Sequence, residues 1–467
     1  MTNHHRLNSP KRPWATLVAV AVGGVMVGLD GTALAIAGPN IARDIGASLG
    51  ELQWIANAYL VTLAVGLLPA GRLADRVGRR KIFFVGVAGF GLMSLGIAFS
   101  SSVAALVVLR ALQGVSGALL QPAALALLRA AFPKERLDLA LGVWGAVNAA
   151  AIAGGPLVGG VVVQGFGWPA VFLLNAPLAV LSLGLAWWTV AESRSEAGQR
   201  GGLRALFRFP AVRVGTVLIG LSFFAIFGLL FFLTLYLQNV RGLDPIGAGG
   251  WLLPLTAVVV LSAPLGGVLT GRFGPRWPAA GGMLVLAVGL FGLSRLSADT
   301  GLADYVPSAL LCGLGAGVAL VAGTEAIVGT APTTMAGLAS AVQQVATQLG
   351  GVCGIAVLSG VMSWRVADVL PERLRDFAVP DVLGGPTMGA ASSIAQGTVP
   401  IPPGTATAVA SQVVEAGHSA FLSGLTACLL VAAATIMLAG LIAATLPPSR
   451  RPAASVATSQ GSHQPAS

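Results

Sequence analysis

The stretch GRLADRVGRRK, residues 71–81, joins two long apolar blocks, and a similar stretch, GVLTGRFGPRW, occupies residues 267–277. Over ten aligned positions five residues are identical: Gly71, Leu73, Arg76, Gly78 and Arg80 match Gly267, Leu269, Arg272, Gly274 and Arg276. Six apolar blocks separate the two stretches. A repeat at this offset predicts that the chain is built of two similar six-helix halves.

The rest of the chain consists largely of apolar blocks. Of its 467 residues, 55% are hydrophobic and only 9% are charged. A helix of about 20 residues is long enough to cross a hydrocarbon core of about 30 Å. Blocks of about this length lie near 14–37, 52–71, 82–100, 103–128, 139–163, 169–190, 213–238, 247–271, 277–296, 305–328, 336–363 and 418–445. We therefore predict an all-α integral membrane protein with twelve transmembrane helices in two pseudo-symmetric six-helix bundles.

The basic residues indicate how these helices are oriented. Cytoplasmic loops are enriched in Lys and Arg. If the N-terminus is cytoplasmic, 20 of the 27 Lys and Arg residues lie inside, six lie outside, and Arg110 lies within a span. Both termini are therefore predicted to be cytoplasmic. The predicted segments are an N-terminus at 1–13, a first bundle at 14–190, a cytoplasmic linker at 191–212, a second bundle at 213–445 with an outer loop at 364–417, and a cytoplasmic tail at 446–467.

The net charge of +10 does not indicate nucleic acid here, because the positive residues decorate the inner loops, where they meet anionic lipid. The cysteines, Cys312, Cys353 and Cys428, all lie within predicted spans, so the sequence implies no disulfide framework.

Once the loops and the ends of the spans are set aside, three charged residues lie clearly within the predicted spans: Asp30, Arg110 and Glu325. Charges in a membrane usually face the interior of a bundle and have a partner or a proton-handling role. Asp30 lies eight residues before Gly38, and Arg110 lies eight after Ser102, so both are placed roughly 12 Å below the outer boundary. They are expected to meet. The pair is either a switchable proton site or a permanent structural ion pair, and Glu325 either handles protons or reaches the aqueous interface.

Amide and aromatic side chains within the spans are candidates for a substrate cavity. Phe223, Phe227 and Phe231 form a stripe at helical spacing, which fits lipid contact or, as the alternative, the wall of a cavity. Most intramembrane amides bind neighbouring helices by hydrogen bonds. To the cavity we assign Gln113, Gln121, Asn148, Phe223, Phe227 and Phe231.

Together these motifs resemble the major facilitator superfamily, and within it the drug:proton antiporter family usually described as having fourteen spans. The inner-loop signature is matched by Gly71, Leu73, Asp75, Arg76, Gly78, Arg79 and Arg80. LRALQGVSGALLQP (109–122) is similar to the motif whose arginine, here Arg110, is linked to proton transfer. GGPLVGG (154–160) is similar to the antiporter motif, through Gly155, Pro156, Gly159 and Gly160. LDGTALAIAGP (29–39), with Asp30, resembles the first-span signature.

The chain departs from the family pattern at three places. Ala35 stands where the family usually has Asn, and Pro169 where it usually has Arg. The central hairpin of the fourteen-span members is missing, so twelve spans are expected.

The resemblance implies export of hydrophobic or cationic drugs, antibiotics or related metabolites in exchange for protons, by alternating access. The proton gradient is the expected energy source and no cofactor is expected. ATP is disfavoured as the driver, because none of the three lysines lies in a phosphate-binding glycine loop. The expected partners are a small-molecule substrate, protons and the lipid bilayer, without nucleic acid. We expect a monomer in the plasma membrane of a bacterium.

Other functions stay open. Within transport, the alternatives are a proton-coupled importer and an exporter dedicated to one metabolite. A non-transporting sensor or channel would not need an Asp30–Arg110 switch. An intramembrane enzyme is disfavoured, because the four histidines provide no ligand pair within the spans and no nucleophile motif is present.

Overall fold

The computed structural model describes residues 13–192, 203–332, 335–377, 388–401 and 407–446. In this part of the chain, twelve helical spans are long and apolar enough to cross a membrane. The predicted fold class is thereby confirmed. The predicted N-terminus, much of the linker and nearly all of the tail lie outside the described residues.

The first half contains six spans. Its helices are α1 (Pro13–Ile45), α2 (Leu49–Val77), α3 (Arg79–Ala98), α4 (Val103–Ala131), α5 (Lys134–Phe166), α6 (Pro169–Leu173) and α7 (Asn175–Thr189). The start of α2 is fixed by a capping box, because the Ser48 hydroxyl accepts from the Glu51 backbone N–H and the Glu51 carboxylate accepts from that of Ser48.

The sixth span is divided into α6 and α7 at Leu174. Pro177 has no N–H to donate to the Leu173 carbonyl four residues earlier, which accounts for a break at this level. Asn175 is consequently the first residue of α7.

The second half follows a short helix, α8 (Leu203–Leu206). Its helices are α9 (Pro210–Leu235), α10 (Pro245–Phe273), α11 (Arg276–Leu293), α12 (Leu302–Thr324), α13 (Ala336–Asp376), α14 (Met388–Ile394) and α15 (Thr407–Ala443). A π-helical turn extends α9 over Tyr236–Val240, and another extends α12 over Glu325–Gly329.

The two halves repeat one packing pattern. Helix α4 packs on α2 and α3, and α12 packs likewise on α10 and α11. Helix α1 packs on α5 and α7, as α9 packs on α13 and α15. This six-span offset is the one that the repeated loop predicts.

The halves meet mainly where α5 packs on α10 and α2 packs on α13. At the first contact a Cβ on Gly160 would collide with the Pro245 carbonyl, and one on Gly249 would lie 2.7 Å from the Pro156 carbonyl oxygen. The small residues of GGPLVGG therefore let the two halves approach closely.

The bundle has two ends. The terminal side carries the α2–α3 turn at Gly78, and the distal side carries the α1–α2 turn at 46–48. On the distal side the halves are joined by hydrogen bonds, since Gln238 Nε2 donates to the Ile36 carbonyl at 2.9 Å and Arg43 donates to Asn239 Oδ1 at 3.0 Å.

The structure differs from the outer loop predicted at 364–417. Helix α13 continues to Asp376, and α15 begins at Thr407. Side-chain pairs three residues apart, Arg365 with Asp368 and Arg373 with Asp376, lie along the polar end of α13. Hydrophilic composition suggested a loop, whereas these pairs fit a helix exposed to water.

Candidate functional site

A buried ion pair links α1 and α4. Arg110 Nη1 donates to Asp30 Oδ2, and the two residues are only 1% and 2% exposed. The matching depths of these residues in the sequence had suggested this contact. A buried charge without a partner is strongly destabilising, so each residue makes the other tolerable at this depth.

Uncharged amides from α4 and α7 complete the surroundings of the Asp30 carboxylate. Oδ1 accepts from Gln113 Nε2 at 3.0 Å and from Asn175 Nδ2 at 3.1 Å. The same two amides donate to Ser94 Oγ at 2.7 and 3.1 Å. The Ser94 hydroxyl in turn donates to the Phe90 carbonyl at 2.8 Å. We call Asp30, Ser94, Arg110, Gln113 and Asn175 the polar cluster.

The guanidinium of Arg110 is held on several sides. Its Nε donates to the Ile55 carbonyl at 3.3 Å, and Nη1 also donates to Gln113 Oε1 at 2.7 Å. The group lies 4.3 Å from the centre of the Tyr59 ring and 5.8 Å from that of Phe172. These contacts fix the position of the positive charge beside Asp30.

An apolar cavity adjoins the polar cluster between the two halves. Its walls come from α1, α2, α9 and α13, and Arg110 contributes to its lining. Phe227 and Phe231 form part of the wall, which is the alternative that we left open for the aromatic stripe. The described lining includes Thr32, Tyr59, Leu60, Leu230 and Ile355.

Phe223, predicted for the same wall, lies elsewhere. It packs against a second buried cluster that includes Ile219, Val342 and Ala346. One helical turn separates Phe223 from Phe227, and the stripe continues past the end of the cavity.

The three amides predicted to line the cavity lie outside its described lining. Gln113 is fully buried in the polar cluster, so its assignment to the cavity is corrected. Gln121 Oε1 accepts from Gln344 Nε2 at 2.8 Å, which joins the two halves, and Asn148 donates to the Trp144 carbonyl of its own helix. Neither belongs to the described lining of the cavity.

Glu325 is not brought together with Asp30 and Arg110. Its side chain is exposed at the first residue of the π-helical turn after α12. Its carboxylate lies over Gly329, where a Cβ would collide with it. This exposed position matches the alternative that Glu325 reaches the aqueous interface.

The loop between α2 and α3 is organised by its charges. Asp75 Oδ1 accepts from Arg79 Nη2 at 3.0 Å, and the backbone N–H of Arg80 donates to Glu192 at 3.1 Å. Gly78 has a φ of +129°, which favours glycine, and a Cβ there would lie 2.7 Å from a Glu192 oxygen. Arg76, the remaining charged residue of the predicted motif, is exposed.

Sequence reasoning missed two members of the polar cluster. Ser94 is a single hydroxyl in an apolar span and carries no signal. Asn175 was one of several intramembrane amides, and only its position two residues before Pro177 distinguishes it. The break that this proline causes brings the amide to the level of Asp30.

Twelve spans in two repeated halves, with a cavity between them and a buried ion pair beside it, define a secondary membrane transporter. The family model described as Major Facilitator Superfamily matches residues 20–355, and the chain belongs to that family. It is a transporter with a small-molecule substrate, embedded in a membrane, and not an enzyme.

Two relatives cover nearly the whole chain. The Tetracenomycin C resistance and export protein of Streptomyces glaucescens is 40% identical, over 92% of this chain and 91% of its own. The Multidrug efflux pump LfrA of Mycolicibacterium smegmatis is 30% identical, over 93% and 96%. Among solved structures, an inward-facing, unoccupied bacterial homolog of the human lysosomal transporter Spinster matches with a TM-score of 0.71 and 19% identity, over 92% of this chain and 98% of that chain.

Proposed function

We propose that the protein is a proton-coupled antiporter that exports drugs, antibiotics or related metabolites across a bacterial cell membrane by alternating access. The observation that carries this proposal is the buried Asp30–Arg110 pair beside an apolar cavity between the two halves. A transporter driven by protons needs a group that gains and loses a proton within the membrane, and Asp30 is the buried carboxylate among the described residues.

Proton binding would act on the pair directly. A protonated Asp30 no longer attracts the Arg110 guanidinium as an ion, so the two charge states favour different arrangements of α1 and α4. Each proton that moves inward gains about 2.3 kcal/mol per 100 mV of membrane potential, and the pH gradient adds to it. The proposal therefore includes no ATP and no cofactor.

The proposed substrate class rests on the relatives and on the cavity. Other relatives, each 30–33% identical, are named for resistance to methyl viologen, to multiple drugs and to puromycin. The wall with Phe227 and Phe231 is apolar, which suits hydrophobic molecules. A dedicated exporter of one metabolite is the second candidate, because the relative at 40% identity is named for a single antibiotic.

The proposed orientation places both termini, and thus the terminal side, in the cytoplasm. It follows from the excess of Lys and Arg in the loops of that side. We propose a monomer. A fluorescent protein fused to the C-terminus is expected to fluoresce, and a periplasmic phosphatase fused there is expected to be inactive; the reverse pattern would contradict this orientation.

Export is tested in a bacterial host that lacks its own efflux pumps. Cells with the protein are expected to survive higher doses of tetracenomycin C, puromycin, methyl viologen or ethidium than cells with an empty vector, and an uncoupler is expected to abolish the protection. Protection against a single compound would favour the dedicated exporter. No protection against any of them, with the protein present in the membrane, would count against drug export.

Proton coupling is tested in everted vesicles with whichever of these compounds is exported. Asp30→Asn is expected to abolish uptake driven by a proton gradient. The matched control is Ser222→Ala, which removes a buried hydroxyl of α9 that donates to the Leu218 carbonyl of the same helix. Full proton-driven uptake by Asp30→Asn would disprove the assignment of Asp30 as the proton site.

A further inference from the structure

The polar cluster contains two primary amides, and the contacts of these amides differ in one respect. Gln113 donates to Asp30 and also accepts from Arg110. Asn175 donates to Asp30 and to Ser94 through the same nitrogen. The orientation of the Gln113 amide is therefore fixed by a cation, whereas that of Asn175 is fixed by Asp30 and Ser94.

Every hydrogen of the two amides and of the Ser94 hydroxyl already has an acceptor. An amide nitrogen carries two hydrogens, and both amide nitrogens bind Asp30 Oδ1 and Ser94 Oγ. The Ser94 hydroxyl hydrogen is directed to the Phe90 carbonyl. The Asp30 carboxylate consequently meets only donors, an arrangement that suits its charged form.

A proton on Asp30 Oδ1 has no acceptor in this arrangement. Rotation of the Gln113 amide would turn its NH2 group toward the Arg110 guanidinium, so that donor would face donor. Rotation of the Asn175 amide by half a turn would instead present its oxygen to the new O–H group of Asp30. Ser94 accommodates the rotation, because its single hydroxyl hydrogen can turn from the Phe90 carbonyl to the Asn175 amide oxygen.

We infer that Asn175 is the positioning residue that sets the proton affinity of Asp30, and that its amide rotates when Asp30 takes up a proton. The inference rests on the proposed role of Asp30 as the proton site. In this step an O–H bond of a hydronium ion breaks and leaves water, an O–H bond forms at the Asp30 carboxylate, and the remaining changes are exchanges of hydrogen bonds.

The backbone supports this role of Asn175. Asn175 opens α7 beside the break that Pro177 imposes. Helix α3 packs closely against α7 near Asn175, since a Cβ on Gly91 of α3 would lie 2.8 Å from the Cβ of Ala179. Ser94 follows Gly91 by three residues and therefore reaches the Asn175 amide.

The other charged and titratable groups near Asp30 are few. Among the described residues they are the Arg110 guanidinium from α4 and the Tyr59 phenol from α2, whose ring lies against that guanidinium. The side chains from α3 and α7 that face the carboxylate, Ser94 and Asn175, are uncharged. The titration of Asp30 is therefore expected to respond to Asn175 without a second titrating carboxylate in contact.

The test is an infrared titration of the Asp30 carboxyl band in the purified full chain, reconstituted in liposomes without substrate. Asp30→Asn identifies the band by its absence. In Asn175→Leu, which keeps the branched shape and the number of non-hydrogen atoms of the side chain, the midpoint is expected to move by about one pH unit toward higher pH, because the charged form loses one hydrogen bond.

The matched control is Ser182→Ala. Ser182 is fully buried on the same helix and donates to the Ala19 carbonyl of α1 at 2.9 Å, but it makes no contact with the polar cluster. The titration midpoint of the Asp30 carboxyl band in Ser182→Ala is expected to equal that of the wild type. An equal shift of the Asp30 midpoint in Ser182→Ala and Asn175→Leu would show that Asn175 affects Asp30 only through helix packing, and it would overturn the inference.

Ser94→Ala covers the case in which Asn175→Leu does not fold. It removes the hydroxyl that holds both amides, and a smaller shift in the same direction is expected. Unchanged midpoints in Ser94→Ala and in any recovered Asn175→Leu would overturn the inference. The titration uses no substrate, so a failure of drug export would leave its result readable, and a failure of the inference would leave export intact.

Discussion

Helices α4 and α12 hold matching places in the two halves and pack through the same kind of contact. A Cβ on Gly114 of α4 would collide with the Tyr59 carbonyl of α2. A Cβ on Gly317 of α12 would collide with the Val259 carbonyl of α10. Close approach of these helix pairs therefore depends on glycine in both halves.

Four residues before these glycines the halves differ completely. Arg110 occupies that position in α4 and donates to the Ile55 carbonyl, whereas Gly313 occupies it in α12 and packs on the Leu255 carbonyl. The same helix-pair packing thus occurs with Arg in one half and with Gly in the other. Since burial of a charge is unfavourable and the second half packs without one, we attribute the presence of Asp30 and Arg110 in the first half to the proton-binding role proposed above.

The buried polar residues of the second half support this distinction. Among the described residues they are all uncharged: Ser222, Thr234, Gln238, Thr256, Ser262, Thr270, Ser294, Thr347, Gln348, Ser359 and Gln396. The first half adds Asp30 and Arg110 to a similar set. Proton handling is therefore expected to depend on the first half.

Arg110→Leu is expected to have the largest effect on stability. It leaves the Asp30 carboxylate buried without its cation, which costs about 3–5 kcal/mol in the free energy of unfolding. Thermal unfolding of the purified protein measures the loss. The double variant Asp30→Asn/Arg110→Leu is expected to recover most of the stability but no proton-driven transport. If Arg110→Leu alone is as stable as the wild type, the stabilising role of the Asp30–Arg110 ion pair is contradicted.

Gly114→Ala and Gly317→Ala are expected to destabilise the protein to a similar extent. Each introduces a Cβ against a backbone carbonyl, and overpacking of this kind costs about 1–3 kcal/mol. The melting temperatures of the two variants provide the comparison. A loss confined to one of them would show that the two helix pairs are not packed equivalently.

Thr62→Val and Ser262→Ala compare the hydroxyls beside these glycines. Thr62 donates to the Ala111 carbonyl at 2.8 Å, whereas Ser262 lies 3.4 Å from the Gly313 carbonyl. The first change is expected to lower the free energy of unfolding by about 1 kcal/mol and the second by less. Denaturant titration measures both, and a larger loss in Ser262→Ala would reverse the ranking.

Asp75→Asn is expected to have the smallest effect on stability. Asp75, in the last turn of α2, pairs with Arg79, the first residue of α3, and both side chains are partly exposed; such a pair contributes about 0.2–1 kcal/mol. The repeated loop has Gly271 and Pro275 at the matching positions and cannot form this pair. A melting temperature close to that of the wild type is expected, and a large decrease would show that the loop supports the fold of the first half.

The sequence predicted the features that follow from length and charge. The twelve apolar blocks predicted the spans, and the repeated loop predicted the six-span offset. The equal depths of Asp30 and Arg110 below the outer boundary predicted their contact. Ser94 and Asn175 escaped prediction, because uncharged polar residues in spans are common and their partners depend on how four helices meet. The extension of α13 to Asp376 was not predicted either, because polar composition does not distinguish a loop from a helix in water.

The length of α13 provides a mechanical consequence. Its 41 residues extend for roughly 60 Å at 1.5 Å per residue, about twice the thickness of a hydrocarbon core. The surplus projects from the distal side and carries Arg373 and Asp376 into water. Because α13 packs against α9 and α15 of its own half, a tilt of that half would displace the tip of α13 farther than the part of the helix within the membrane. A spectroscopic label near Asp376, paired with one on the α1–α2 turn, would report this tilt as a large change in distance.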